Sequence, residues 1–321
     1  MKNVLFFLFI TLLFSCNLSQ KEKKQVKANT PIKAYELTSA TLAAGKLIRV
    51  DSFPSKKIKP RPVDVWLPEN YSIDKKFAVL YMHDGQNLFD SLSTWNKQEW
   101  MIDEVATDLM RNNITKDFIV VGIHNIPQIR WLDLFPEKAM QNLSDEQIKE
   151  AQSISNTKVD LEDFKGDEYL QFLVSELKPY IDNTYSVYTD KENTYVMGSS
   201  MGGLMSMYAI SEYPTIFEGA ACVSTHWVGA MPQKNNPFPK AIFSYVAKHI
   251  PNAESHKIYF DYGNKTLDQF YPQYASTVDS IYTNNGYTEN NFRNIFYSNT
   301  NHSERSWQKR VDVPLTFLLK K

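Results

Sequence analysis

The run Thr194-Tyr195-Val196-Met197-Gly198-Ser199-Ser200-Met201-Gly202-Gly203 decides the fold. Four β-prone residues, Thr194 to Met197, stop at a glycine. The next five read Gly-x-Ser-x-Gly. Leu204-Met205-Ser206-Met207-Tyr208-Ala209 then has helical character. Strand, sharp turn and helix around this pattern make a nucleophile elbow, in which a serine on a strained turn lifts its Oγ above a sheet edge. Gly198 and Gly202 lie two positions either side of Ser200, where a Cβ would collide with the neighbouring strand and helix. Ser200 is therefore the candidate nucleophile, and Ser199 fails the spacing. The N–H of Met201, at the helix start, is a candidate oxyanion donor. A glycine-serine turn ahead of a core helix would read the same way, so the rest of the chain must supply a histidine, an acid and a second donor.

Outward from the elbow, apolar strand patterns alternate with helical ones. Gly45 to Phe53 and Pro62 to Leu67 read as an antiparallel pair. Phe77 to Met82 and Phe118 to Ile123 are continuous apolar strands of the kind covered on both faces. Ala220 to Ser224, Lys257 to Tyr262 and Asn291 to Tyr297 complete the series. Helical patterns run over about Gln98–Arg111, Glu168–Asn183, Met201–Tyr213, Ala241–His249, Leu267–Asn284 and Glu304–Leu319. This alternation predicts an α/β fold, a mostly parallel, doubly wound sheet flanked by helices on both faces. Residues 127–166 break the rhythm with a polar excursion containing a short capped helix near Asn142 to Gln147. It leaves a strand's C-terminal end, where ligands bind in such sheets. It reads equally as a partial cap and as a surface loop.

The α/β-hydrolase chain order is serine, acid, histidine. Of the six histidines, four follow Ser200. His249 lies in a helical pattern and His256 precedes a strand at its wrong end. His302, in a loop after the last strand, has the place of the general base, although exposed loop histidines are common. His226 competes from a strand end, but no acid separates it from Ser200. With Trp227 it reads as pocket wall. For the acid, Asp268 follows the strand-end Gly263 and can turn back toward a histidine. Asp261, inside the strand, is the runner-up. The acid's task is to fix the imidazole tautomer and stabilise the imidazolium. The turn after the third strand, His83-Asp84-Gly85-Gln86, offers the N–H of Gln86 as the second oxyanion donor. His83 and Asp84 lack a partner cluster at ligand spacing, so neither a metal nor a cofactor is expected. Arg130, Trp131 and Trp227 are candidate substrate contacts near strand ends, and each reads equally well as packing.

The chain of 321 residues is 43% hydrophobic, enough for one large core. A net charge of −1, without a basic block beyond the N-terminal linker, excludes nucleic acid as the main partner. Lys2 and the apolar run Val4–Phe14 have the shape of a signal h-region, too short to span a bilayer. Cys16, after Leu13-Phe14-Ser15, resembles a lipobox cysteine, which would carry a lipid anchor. A plain signal peptide cut elsewhere is the alternative. The other cysteine, Cys222, lies in an apolar run and reads as a buried thiol. Residues 1–15 are thus expected to be a signal peptide, 16–35 a flexible tether, and 36–321 the folded domain. An outer-membrane lipoprotein, facing the periplasm or the cell surface, is expected, with membrane contact through the anchor alone.

His83-Asp84-Gly85-Gln86-Asn87-Leu88-Phe89, Gly198 to Gly203, Ser224-Thr225-His226-Trp227 and Asn301-His302-Ser303-Glu304-Arg305-Ser306-Trp307 together resemble the putative esterase family. That family includes esterase D-like enzymes, feruloyl and acetyl xylan esterases, enterochelin esterases and mycolyltransferases. The resemblance covers about Gly45 to Leu319 and leans toward secreted Bacteroidetes-type members linked to polysaccharide use. It implies an α/β-hydrolase fold and a serine carbohydrate esterase working through an acyl-enzyme on small-molecule or carbohydrate esters. It supports Ser200 and His302. Many members place the acid three residues after the strand-end glycine, whereas Asp268 comes five after Gly263.

Overall fold

The computed structural model describes residues 31–154 and 161–321. Cys16, the signal segment and the tether up to residue 30 fall outside the described residues. The tether's expected end shifts slightly, because Tyr35 already pairs with Arg49 in a short strand.

Among the described residues, nine strands form one sheet. They are β1 (Tyr35–Glu36), β2 (Lys46–Phe53), β3 (Arg61–Leu67), β4 (Ala78–His83), β5 (Phe118–Ile123), β6 (Thr194–Ser199), β7 (Gly219–Val223), β8 (Lys257–Tyr262) and β9 (Phe292–Phe296). Their spatial order is β1-β2-β3-β5-β4-β6-β7-β8-β9. The joins from β1 to β5 are antiparallel, and those from β5 through β9 are parallel. The sheet is therefore the expected mostly parallel one, with an antiparallel edge.

Strand periodicity sorts the core into two layers. On β5, Ile119, Val121 and Ile123 face one side, and Phe118 and Val120 face the other. On β4, Val79 and Tyr81 oppose Ala78, Leu80 and Met82 in the same way. The helices are α1 (Ile102–Arg111), α2 (Arg130–Asp133), α3 (Asp145–Ile154), α4 (Gly166–Phe172), α5 (Lys178–Thr184), α6 (Met201–Glu212), α7 (Phe238–Val246), α8 (Ala275–Thr283), α9 (Glu304–Trp307) and α10 (Asp312–Leu319). Helices α4 to α8 pack on the first face, and α1 and α10 on the second. α6 is apolar nearly all round and buried along most of its length, as a helix covering the sheet's centre must be.

Three helical expectations need correction. The first helix starts at Ile102 rather than Gln98, because Lys97 and Met101 take left-handed backbone conformations. The stretch expected as one helix from Leu267 opens as two short 3₁₀ turns, Thr266–Phe270 and Pro272–Tyr274, before α8. The last helix breaks between Trp307 and Asp312.

The excursion at 127–166 is built into the core at both ends. Leu134, Phe135, Ala139, Met140 and Phe164 are buried, and Arg61 of β3 pairs with Asp133 at 2.8 Å. Both side chains are almost fully enclosed. Burial lifts the Asp133 carboxyl pKa, against the pull of Arg61, so the intact pair adds little net stability. Breaking it is another matter. Asp133→Ala strands a guanidinium in the core and should cost about 3–5 kcal/mol in urea unfolding. A loss under about 1 kcal/mol would show that Arg61 finds water.

Candidate active site

Ser200 lies between β6 and α6 with φ 58° and ψ −120°, a conformation that costs a residue with a Cβ of order 1–3 kcal/mol. The surrounding backbone holds it. Its N–H donates to the Val223 carbonyl at 2.9 Å, and its carbonyl accepts from His226 N at 3.2 Å and Leu204 N at 3.0 Å. The elbow also needs Gly198, since a Cβ there would lie 2.7 Å from the Gly202 carbonyl carbon. Met201, the first residue of α6, has one of the helix's orphan N–H groups directly after the serine.

Ser200 and His302 line one cavity of about 690 Å³. His302 lies in the loop between β9 and α9, and its Nδ1–H donates to Asp268 Oδ1 at 2.6 Å. Asp268 is fully buried in the first 3₁₀ turn after β8. Its other oxygen accepts from Gly263 N and from Ser224 Oγ, both at 2.7 Å. The two loops are stitched together, because Thr266 Oγ1 accepts the His302 N–H at 2.9 Å and Lys265 bridges Asn301. Asp261 is held elsewhere. It pairs with Arg310 at 2.9 Å and accepts from Ser224 N and the Tyr259 hydroxyl. The link between His302 Nε2 and Ser200 Oγ is not closed in this structure; such contacts often tighten only around substrate.

Gln86 lies in the short turn Gly85–Asn87 that follows β4 and lines the same cavity. The turn is pressed against β5, where a Cβ on Gly85 would meet the Gly122 carbonyl carbon at 2.4 Å. Arg130 also lines the cavity, but it is spent on Asp84, with Nε at 2.8 Å and Nη2 at 2.6 Å.

Three candidate substrate contacts, Trp227, Trp131 and His226, do not line the cavity, and for the two tryptophans it is the packing alternative that the structure shows. Trp227 is buried between Phe243 and Phe260, with ring centroids 4.9 and 5.3 Å away. Trp131 donates to the Gly229 carbonyl at 2.7 Å and packs on Phe135, Phe164 and Phe238. Both rings thus join the aromatic cluster of the first core layer, Trp227 buried and Trp131 partly so. His226 is buried beneath the elbow. Its Nε2 faces the Ala230 carbonyl at 2.9 Å and so must carry the proton, leaving Nδ1 to accept from the Tyr271 hydroxyl at 2.7 Å. Burial foremost, and then the positive neighbourhood of His302, lowers its pKa to about 4. The Tyr271 ring also meets that of His302 edge-on at 5.9 Å. Nothing in the sequence pattern singles out Tyr271, and Ser224 stands in a family-like motif without a role read for it.

The cavity wall instead carries Trp95, Asn96, Gln98 and Trp307. Asn87 and Asn96 both donate to Glu304, at 3.3 and 2.9 Å. Away from the cavity, Glu99, Asp103 and Glu104 bring carboxylate oxygens within 4.8 Å of one another. Burial, then repulsion from Glu104, raises Asp103 to about 7, so a shared proton can relieve the cluster.

A family model described as Putative esterase matches residues 57–315. An uncharacterized protein of Bacillus subtilis, YbbA, is 26% identical over 180 residues, which is 55% of this chain and 61% of that protein. The matched stretch thus spans less than two thirds of that relative. A solved ferulic acid esterase superposes with a TM-score of 0.62 at 17% identity, over 86% of this chain and 98% of the other. The ferric enterobactin esterase of Salmonella typhimurium superposes at 0.60 and 15% identity, over 87% of this chain and 59% of the other. By its sequence match, and with the sheet order and elbow described above, the chain belongs to the Putative esterase family and has an α/β-hydrolase fold.

Proposed function

We propose that the protein is a serine esterase that removes small acyl groups, acetyl or feruloyl in kind, from carbohydrate alcohols. The observation that carries this reading is the 2.6 Å contact between Asp268 and His302 at the wall of the cavity that also holds Ser200. In the proposed reaction His302 takes the Ser200 proton as Oγ attacks the ester carbonyl. The N–H groups of Met201 and Gln86 receive the developing oxyanion. Collapse expels the alcohol, which takes the proton from His302, and leaves an acyl-enzyme. Water, deprotonated by His302, attacks that ester and releases the acid and Ser200.

The substrate class is argued from the wall. Side-chain amides of Asn87, Asn96, Gln98 and Asn125 surround the mouth beside Trp95 and Trp307. Amides hydrogen-bond hydroxyls, and indoles offer flat apolar faces to sugar rings or aryl acyl groups. The ferulic acid esterase neighbour points the same way, and the enterobactin esterase neighbour makes a catecholate ester the competing substrate. Acetylated and feruloylated oligosaccharides should be cleaved with kcat/KM at least about tenfold above a cyclic catecholate ester, since one well-placed hydrogen-bonding set is worth that much discrimination. The reverse order would assign the site to siderophore esters. Product transferred to added alcohols in place of water would make it an acyltransferase. We further propose that Cys16 anchors the protein in the outer membrane; radiolabelled palmitate should be incorporated by the natural chain and lost in Cys16→Ala.

A further inference from the structure

Asp84 is an awkward residue to find beside an oxyanion site. It turns the chain out of β4 in a left-handed conformation, φ 58° and ψ 44°, and is 6% exposed. That turn aims its carboxylate at the start of α6, where a Cβ on Gly202 would lie 3.3 Å from Oδ2. A fixed negative charge is therefore held against the first turn of α6, which Met201 opens, and two residues before Gln86, where the proposed reaction would build a second one. Like charges at such range in a partly enclosed site repel strongly.

Two side chains from beyond β5 answer this charge. Arg130 forks onto both carboxylate oxygens, at 2.8 and 2.6 Å, and Asn125 Nδ2 donates to Oδ1 at 2.6 Å. Asn125 also donates its backbone N–H to Gln86 Oε1 at 3.2 Å. The turn is thus both neutralised and fastened by the segment after β5. Burial works to raise the Asp84 pKa, but the charge and hydrogen bonds of Arg130, with those of Asn125, outweigh it and hold Asp84 ionised. Arg130 uses the edge formed by Nε and Nη2 on this task, the bidentate edge that a substrate carboxylate would otherwise take.

We infer that Arg130 is a positioning residue: by pairing with Asp84 it cancels the carboxylate's field at the oxyanion donors and holds the Gly85–Asn87 turn in shape. This rests on the proposed roles of Met201 and Gln86. A neutral ester carries no charge in the ground state, so the effect falls on kcat and not on KM.

The test is a charge-compensation set: Arg130→Ala, Arg130→Lys, Asp84→Asn and the double variant Arg130→Ala/Asp84→Asn. Rates of p-nitrophenyl acetate hydrolysis are expressed per Ser200 titrated with a fluorophosphonate, so misfolded protein drops out. Arg130→Ala should lower kcat by about 10–100-fold with KM within about threefold, comparable to or somewhat less than losing one oxyanion donor. Arg130→Lys should keep the charge and recover part of the loss. The double variant should regain at least about tenfold over Arg130→Ala, because the charge needing compensation has gone. A double variant as slow as Arg130→Ala, or a loss expressed in KM alone, would overturn the inference and return Arg130 to substrate binding or packing. Failure of the serine reading itself would look different: fluorophosphonate would then label no site in the natural protein.

Discussion

Ser200→Ala is expected to lower kcat for p-nitrophenyl acetate by at least about 10³-fold, with melting temperature unchanged within about 2 °C. The catalytic loss follows because the other serines lining the cavity, Ser199 and Ser303, do not sit at the elbow, and the Ser303 hydroxyl donates to Asn301 Oδ1 at 2.7 Å. Ser199 precedes the strained position, as the last residue of β6. The stability half follows from how the elbow is held. The left-handed turn is fixed by the Ser200 N–H on Val223, by His226 N on the Ser200 carbonyl, and by the Gly198–Gly202 approach. None of these uses the hydroxyl. Alanine keeps the backbone and its strain, and the elbow does not relax. Residual turnover should persist, because the N–H groups of Met201 and Gln86 remain. Equal rates in the two proteins would remove Ser200 from the chemistry and favour a non-catalytic binding protein on this fold.

Much of this site could be read from the chain because its parts are local. An elbow is a strand, a turn and a helix within a dozen residues, and each announces itself by residue type. His302 announces itself by order, lying in the first loop after the last strand. The antiparallel start of the sheet was legible from two alternating runs with a short connection. What escaped depends on contacts between distant loops. Arg130 meets Asp84 across 46 positions, and Tyr271 meets His226 across 45. Spacing cannot encode such encounters. Trp227 illustrates the same limit, since a residue at a strand end can turn toward the mouth or toward the core. Here Phe243 and Phe260 offer a stacking partner on the core side. The acid was left between two residues for a related reason. A helix beginning at Leu267 would have carried Asp268 away, whereas a 3₁₀ turn opened by Thr266, at φ 51°, delivers it to His302.

Asp268 and Asp261 should separate cleanly under the same substitution. Asp268→Asn is expected to lower kcat by about 10³–10⁴-fold, with KM little changed and the fold intact. The hydrogen bonds dictate why. Oδ2 accepts from the Gly263 N–H and the Ser224 hydroxyl, both donors, so an asparagine must place its carbonyl oxygen there. Its NH₂ then faces His302 Nδ1 in place of the acceptor Oδ1. The imidazole is driven to the tautomer protonated on Nε2, which cannot take a proton from Ser200. Asp261→Asn meets no such constraint at His302. It instead takes the negative charge from a carboxylate that pairs with Arg310, whose side chain is 4% exposed. A buried guanidinium without its counter-charge costs about 3–5 kcal/mol, so this variant should unfold at markedly lower urea while its kcat per titrated serine stays within about threefold of the natural protein. If the two outcomes were exchanged, the charge that orients His302 would have to reach it through Ser224 and Arg310, and the 2.6 Å contact with Asp268 would be a structural bond only.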